Sequence, residues 1–329
     1  MISIFIPTYN GEKYLAKTLE SVLAQTNKDF EVICVDDYST DATFEIMKSF
    51  AEKDSRVRIF QKSHEGDVPH SWQYVFPLIK GEYTLYMSQD DLLAPDALDK
   101  MIIRQKECNA DAVLPIVAYY EEDKSIEDVH RYVGVDGDIS RILSGKEAFS
   151  LMLDYTISGF ALWKSELIRN IGMRVEAYNS DEVAQREWIG SCKTVAFSDA
   201  IFYYRRDNPQ ALTRTFTTRN LYESISEARL LQLAIQYKLD ADIIQNHRNE
   251  YYKKLWWNVL YSILHKDKIN VAERKRLNSS FLESYQILHK GVKLQKWYYR
   301  LSAINETMFW LTLYMKLYIA KFRDVKKNI

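Results

Sequence analysis

Two pairs of adjacent carboxylates, Asp36-Asp37 and Asp90-Asp91, each close a short apolar run, and a third acidic pair, Asp181-Glu182, follows Ser180. Two acids at a strand end repel unless a cation or hydrogen-bond donors join them. Oxygen ligands of this kind hold Mg²⁺ or Mn²⁺ when a diphosphate supplies further ligands. Asp90-Asp91 has that reading and a plainer one, capping of the helix expected around Pro95. Asp36-Asp37 runs into Ser39-Thr40-Asp41, where capping accounts for Ser39 or Asp41. Asp181-Glu182 also reads as first-turn acids favoured by a helix dipole. Arg205-Arg206 suits a diphosphate or a solvated strand end. Tyr155 and Trp163 suit a sugar-stacking wall or, for the Trp, the core. His64 and His70 lie six residues apart with no metal geometry and receive no role.

The elements that must position these groups alternate. Residues 2–6 (ISIFI) predict a buried strand ended by Pro7, and Leu15, Leu19, Val22 and Leu23 place a helix over 11–26. A strand over 31–35 precedes Asp36-Asp37, and a helix carrying Phe44, Ile46, Met47 and Phe50 follows. Strands are expected at 57–60 and 83–87, with a helical segment before Gly81 and a helix opened by Pro95 in its first turn. Further on come a strand at 111–119, an irregular acidic excursion at 121–140, a helix at 145–153 and a strand at 159–163. A helix over 180–192 and a late strand at 194–204 complete this part; from about Thr217 only helical spacing remains. Such alternation predicts an α/β fold with a mostly parallel, Rossmann-like sheet flanked by helices, and a helical C-terminal region. Ligands bind at the carboxyl ends of such strands. Pro7–Asn10, Asp36-Asp37 and Gln89–Asp91 all fall there.

Forty-four basic and 45 acidic residues in 329 leave a net charge of −1, so nucleic acid is excluded as a partner by charge. From Lys290 the balance is +7, nine Lys/Arg against Glu306 and Asp324, which leaves the preceding residues at −8. Phe309–Ala320 is apolar, but its twelve residues cover about 18 Å as helix, short of a bilayer. Its Trp and Tyr content and basic flanks predict peripheral contact with an anionic membrane, against packing on the helical region or an oligomer interface. Three scattered cysteines and no signal-like start predict a cytoplasmic protein, at the inner face of the membrane if the tail binds lipid.

Three ordered segments, IFIPTYNGEKYLAKTLESVLAQT, FEVICVDDYSTDAT and GEYTLYMSQDDLLAPDALDKM, together resemble the nucleotide-sugar-binding half of glycosyltransferase family 2. The resemblance implies the GT-A fold and an inverting glycosyltransferase with a divalent cation, Mn²⁺ or Mg²⁺. The donor would be a nucleotide-diphosphate sugar, UDP-linked, and the acceptor a glycan or lipid-linked glycan of a cell-surface polysaccharide. Pro7, Thr8, Tyr9 and Glu12 correspond to the loop against the base, and Asp37 to the carboxylate for base or ribose. Gln89, Asp90 and Asp91 correspond to the D-x-D region, with Asp90 the metal ligand. Ser88 stands where that element has its first Asp, which leaves ligation to Asp90 with Asp91 as a second candidate. Asp181 takes the position of the catalytic base that accepts the acceptor proton, with Glu182 as alternate. The implied layout is a transferase domain over 1–215, divided into a donor half (1–110) and an acceptor half (111–215), then a membrane-associating or oligomerising region over 216–329. A non-catalytic sugar-nucleotide-binding subunit is the rival that Ser88 suggests. A nucleotidyltransferase would carry a glycine-rich phosphate loop, whereas this loop has Gly11 alone.

Overall fold

The computed structural model describes residues 1–122, 131–209 and 217–327, so part of the 121–140 excursion lies outside the described residues. The chain forms two compact units, Met1–Val175 with Ser180–Thr215, and Glu176–Asn179 with Phe216–Ile329.

The strands of the first unit are β1 (Ile2–Thr8), β2 (Phe30–Asp36), β3 (Val57–Gln61), β4 (Tyr83–Tyr86), β5 (Leu92–Leu93), β6 (Ala112–Tyr120), β7 (Arg131–Tyr132), β8 (Ile142–Leu143), β9 (Leu162–Lys164) and β10 (Val195–Arg205). They form one sheet in the order β3-β2-β1-β4-β9-β6-β10-β5, with β7 beside β6 and β8 beside β10. The longer pairings, β1 with β2 and β4, β2 with β3, and β6 with β10, are parallel. Strand β9 runs antiparallel between β4 and β6, a mixed element that local alternation does not reveal. β2 is buried along its whole length, as a central strand covered on both faces should be.

Pro7 lies inside β1 rather than ending it. The ladder to β4 stops at Phe5, whereas that to β2 continues to Thr8, so the missing N–H of Pro7 falls where β1 and β4 have parted. That parting is where the strand order reverses direction.

The connecting helices are α1 (Leu15–Leu23), α2 (Thr43–Lys53), α3 (Val68–Val75), α4 (Ala97–Cys108), α5 (Gly145–Leu153), α6 (Ser165–Ile171) and α7 (Ser180–Ser191). Helix α4 begins after Pro95, not at it. The Ala94 N–H donates to Ile201 at 3.1 Å and the Pro95 carbonyl accepts from Thr26 at 2.9 Å, so residues 92–95 belong to the edge that β5 makes with β10. α2 begins after Ala42, and the Asp41 carboxylate accepts from the Thr43 N–H at 3.0 Å.

A cluster of large rings seats α3 and α7. Trp72 meets Phe5 at 4.8 Å and Trp188 at 5.2 Å, and Trp188 meets Trp163 at 5.6 Å between ring centroids. All four are fully buried, and each such side chain contributes roughly 1.5–3 kcal/mol of burial free energy or more. Trp188 lies two turns along α7 from Asp181 and on the same face, so its burial sets where the start of that helix lies.

The second unit contains α8 (Glu223–Gln236), α9 (Ala241–Leu264), α10 (Val271–Leu288), α11 (Trp297–Ser302) and α12 (Glu306–Lys327). Tyr252, Trp256, Phe281, Tyr285, Phe309 and Leu313 form its core. On α12, Phe309, Thr312 and Leu313 are buried, while Leu311, Tyr314, Met315, Tyr318 and Ile319 are 39–64% exposed.

Candidate active site

Strand β1 delivers Thr8 and Tyr9 to the edge where Asp36-Asp37 and Asp90-Asp91 also emerge. The two acids of the first pair are satisfied separately. Asp36 is buried and accepts from the Ser39 N–H at 3.0 Å, from Gln61 at 2.9 Å and from Thr8 Oγ1 at 3.3 Å. Asp37 accepts from the amides of Glu65 at 3.0 Å and Gly66 at 2.8 Å, and forms an ion pair with Lys62. Burial works to raise Asp37, but the Lys62 and amide hydrogen bonds prevail and hold it below the usual carboxylate range. The Asp37 carboxylate thus fastens residues 62–66 over the strand ends. His64 comes with them, its Nδ1 2.9 Å from Asp37 Oδ2 and its ring stacked on Tyr9 at 4.5 Å.

Gln89 holds the opposite side of the Tyr9 loop through the backbone N–H and C=O of Tyr9, each at 2.9 Å. Gly11 makes room for it, since a Cβ there would lie 2.2 Å from Gln89 Oε1. Glu12 Oε2 accepts from the Ala42 N–H at 3.0 Å, so this exposed acid ties the loop to the start of α2. Pro7 is half-buried and Tyr9 exposed.

The second acidic pair divides into an inner and an outer residue. Asp91 is buried and accepts from the backbone N–H groups of Ser88 and Arg205, both at 3.1 Å. Burial, and then the neighbouring Asp90, push it well above the carboxylate range. Asp90 is half-buried, accepts from Asn208 Nδ2 at 2.6 Å, and is raised by burial. Neither acid caps α4. Arg205 is buried between the rings of Tyr14 and Tyr120 at 4.5 and 4.7 Å, and its Nε donates to the Asp90 carbonyl at 3.1 Å. Arg206 is exposed and lies over Tyr119. The adjacent arginines therefore do different things.

Asp181 opens α7. Burial, followed by the charge of Glu182, pushes it up to about 7. Its charge in turn acts on Tyr86, which burial foremost raises, and Asp91 acts on the same phenol. Tyr86 is thus close enough to the start of α7 and to Asp91 to feel both charges. Tyr204, raised to about 12 by burial and then by Asp91 and Asp90, borders them too. A carboxyl group that is neutral below neutrality and anionic above it can take a proton from a hydroxyl. Glu182 faces Arg186, at 3.4 Å, and the Tyr155 hydroxyl, at 3.5 Å.

His64, Tyr86 and Asn208 carried no local sign of involvement. Asn208 lies 118 residues from Asp90, so no spacing rule reaches it. Trp163 is core, whereas Tyr155 is 60% exposed.

A curled, mixed but mainly parallel sheet flanked by helices, with acids at its carboxyl edge, is the GT-A architecture of glycosyltransferases. The Staphylococcus aureus TarS 1–349 structure in complex with UDP-GlcNAc matches it with a TM-score of 0.65 at 17% identity, over 87% of this chain and 81% of that one. The family model "Glycosyl transferase family 2" matches residues 3–169, just over half of the 329, and the chain belongs to that family. Among curated relatives, "Glycosyltransferase GlyG" of Streptococcus pneumoniae is 27% identical over 66% of this chain and 74% of its own length. "Poly(ribitol-phosphate) beta-glucosyltransferase" of Bacillus spizizenii is 34% identical over 34% of this chain, which is 18% of its own length.

Proposed function

We propose that the chain is an inverting glycosyltransferase that moves a hexosyl or N-acetylhexosaminyl group from a nucleotide-diphosphate sugar to a hydroxyl of a glycan or lipid-linked glycan, in cell-surface polysaccharide synthesis. The observation that carries this reading is Asp181 at the start of α7, raised to about 7 and acting on the same Tyr86 phenol as Asp91. In one displacement the acceptor oxygen gives its proton to the Asp181 carboxylate and bonds to the anomeric carbon. The bond from that carbon to the diphosphate breaks, and the nucleoside diphosphate leaves. Glu182 supplies the like charge that helps raise Asp181. The segment 1–110 holds the donor through Pro7, Thr8, Tyr9, Glu12, Asp37 and Gln89, and 111–215 presents the acceptor. UDP is the nucleotide to test first, because the fold neighbour TarS holds UDP-GlcNAc.

Among the described residues no group of three or more His, Cys, Asp or Glu gathers as a metal cage. A Mg²⁺ or Mn²⁺ bound largely by a diphosphate needs only one or two protein carboxylates. Asp90 fits that requirement, being half-buried beside a second acid; Asp91, buried with each oxygen accepting one backbone N–H, is the second candidate. The bound ion would neutralise charge appearing on the diphosphate. Release of nucleotide from a panel of nucleotide sugars tests the reading; a donor that binds and never turns over would support a binding subunit instead.

The exposed residues of α12 support a further part of it. Leu311, Tyr314, Met315, Tyr318 and Ile319 repeat at helical spacing opposite the buried face, within a tail of net charge +7. We place this stripe on an anionic lipid surface, on the cytoplasmic side where nucleotide sugars are made. No helix among the described residues is long and apolar enough to cross a membrane.

A further inference from the structure

Tyr155 stands one residue past the C-cap of α5 with φ at 56°, a left-handed backbone that costs any residue with a side chain. Two hydrogen bonds hold the turn, from the Tyr155 N–H to Met152 at 3.3 Å and from the Thr156 N–H to Leu151 at 2.9 Å. The residue is 60% exposed, so burial does not explain why a Tyr occupies this turn. The Arg186 guanidinium lies 4.9 Å from the ring centroid and is itself buried, held by the carbonyls of Glu182 at 3.1 Å and Met152 at 3.2 Å. The Tyr155 hydroxyl is 3.5 Å from Glu182 Oε2. An exposed Tyr is thus kept on a hydrogen-bonded turn beside the residue that follows the proposed base.

Other tyrosines extend the surface. Tyr132 on β7 meets Tyr119 on β6 at 6.2 Å, and Tyr119 meets Tyr204 at 5.9 Å. Burial foremost, then Tyr119 and Tyr155, raise the Tyr132 phenol, so Tyr155 lies near enough to act on it. Phenols therefore stand at both ends of this surface, Tyr155 beside Glu182 and the Tyr132–Tyr119–Tyr204 group ending at Tyr204, on which Asp91 and Asp90 act. A pyranose has apolar C–H faces and a rim of hydroxyls; phenol rings meet the first, and phenol hydroxyls with the Glu182 carboxylate meet the second. Strained, exposed residues of this kind are a feature of ligand-binding positions.

We propose that Tyr155, continued by Tyr132 and Tyr119, is the surface on which a pyranose ring of the acceptor stacks, with Glu182 hydrogen-bonding its hydroxyl rim. This rests on the transferase reading of Asp181, because the stacked ring then lies beside the group that takes its proton. It also defines the acceptor chemically: a hexopyranose unit rather than an open-chain polyol.

The test uses the full chain and saturation-transfer NMR with methyl glucopyranoside, galactopyranoside, mannopyranoside and N-acetylglucosaminide, in the presence of UDP. At least one should receive saturation on its ring C–H protons. Binding should weaken roughly 10-fold in Tyr155→Asn, a change that suits the left-handed turn, and persist in Tyr155→Phe. Tyr132→Leu should weaken it as well, and UDP binding by calorimetry should be equal in all variants. Failure of every pyranoside to bind, or equal binding by Tyr155→Asn, overturns the proposal. Failure of the unmodified chain to bind UDP or any nucleotide sugar overturns the transferase reading instead, so the two failures are told apart.

Discussion

The side-chain amide of Gln89 pairs with the backbone of Tyr9 as a neighbouring strand would, Oε1 accepting from the Tyr9 N–H and Nε2 donating to its C=O, each at 2.9 Å. Beyond Phe5 the ladder between β1 and β4 has ended, and this pair replaces it with a side chain. The Tyr9 loop is thereby held between Gln89 on one side and the His64–Asp37 segment on the other.

Gln89→Ala removes both bonds. At about 0.5–1.5 kcal/mol each, donor binding through this loop should weaken roughly 5- to 150-fold with little change in thermal stability. Gly11→Ala should reproduce it, because its Cβ displaces the same flexible amide. Calorimetric titration with UDP checks both; normal binding by both variants would show that the loop does not hold the nucleotide.

Asp90→Asn keeps the shape of the side chain and removes its charge. Turnover should be lost while melting temperature is unchanged or rises, since burial disfavours the charge. Chelation of divalent ions should mimic the variant. Full turnover in excess chelator would remove the metal from the mechanism.

With Asp181 at about 7 in the folded protein, kcat/KM should rise with pH through that value and level off above it. Glu182→Gln should move this limb to lower pH by removing the like charge. Asp181→Asn should lower turnover roughly 10²–10⁴-fold with nucleotide binding retained. The stability sign is opposite to that of a salt-bridged acid. Between the unfolded value of about 4 and the folded value of about 7, the folded state keeps a proton that the unfolded state has released, so stability falls as pH rises through that window. At pH above about 8, Asp181→Asn should therefore melt higher than the parent chain. A pH profile flat from 5 to 9 would exclude Asp181 as the base.

Trp188→Ala should destabilise the first unit by about 3–5 kcal/mol, as loss of a large buried ring does, while Trp188→Phe should cost less. If the Trp72–Trp188–Trp163 cluster positions α7, the Phe variant should remain folded and lose kcat with donor binding intact. Denaturant melts and initial rates measure the two effects separately.

The exposed stripe of α12 is tested by substitution. Truncation before Lys290 would also remove Phe309 and Leu313 from the second unit's core. Leu311→Ser with Tyr314→Ser and Tyr318→Ser should abolish co-sedimentation with anionic vesicles and leave the melt unchanged. Binding by the intact chain should weaken with salt, as each basic residue near the surface contributes about 1 kcal/mol that salt screens. Absence of binding by the intact chain at low salt would overturn lipid attachment.

Periodicity and punctuation determined much of this protein without any coordinates. The buried runs at β1 and β2, the helical spacing of α5 and α7, and the change to helix-only pattern after about Thr217 are local properties, written in the order of neighbouring side chains. So is the placing of acids after strands, since a strand that ends at the sheet edge delivers whatever residue comes next. Tertiary structure decided what each acid became. Asp91 and Asp90 are adjacent and chemically identical, yet the fold turns one onto the amides of Ser88 and Arg205 and the other toward Asn208. Arg205 and Arg206 divide in the same way, one enclosed by Tyr14 and Tyr120 and one exposed. The raised Asp181, the antiparallel β9 and the tyrosine contacts among β6, β7 and β10 depend on groups brought together from segments far apart in the chain. Burial and charge act through space over a few ångströms, and a sequence records distance only along the chain.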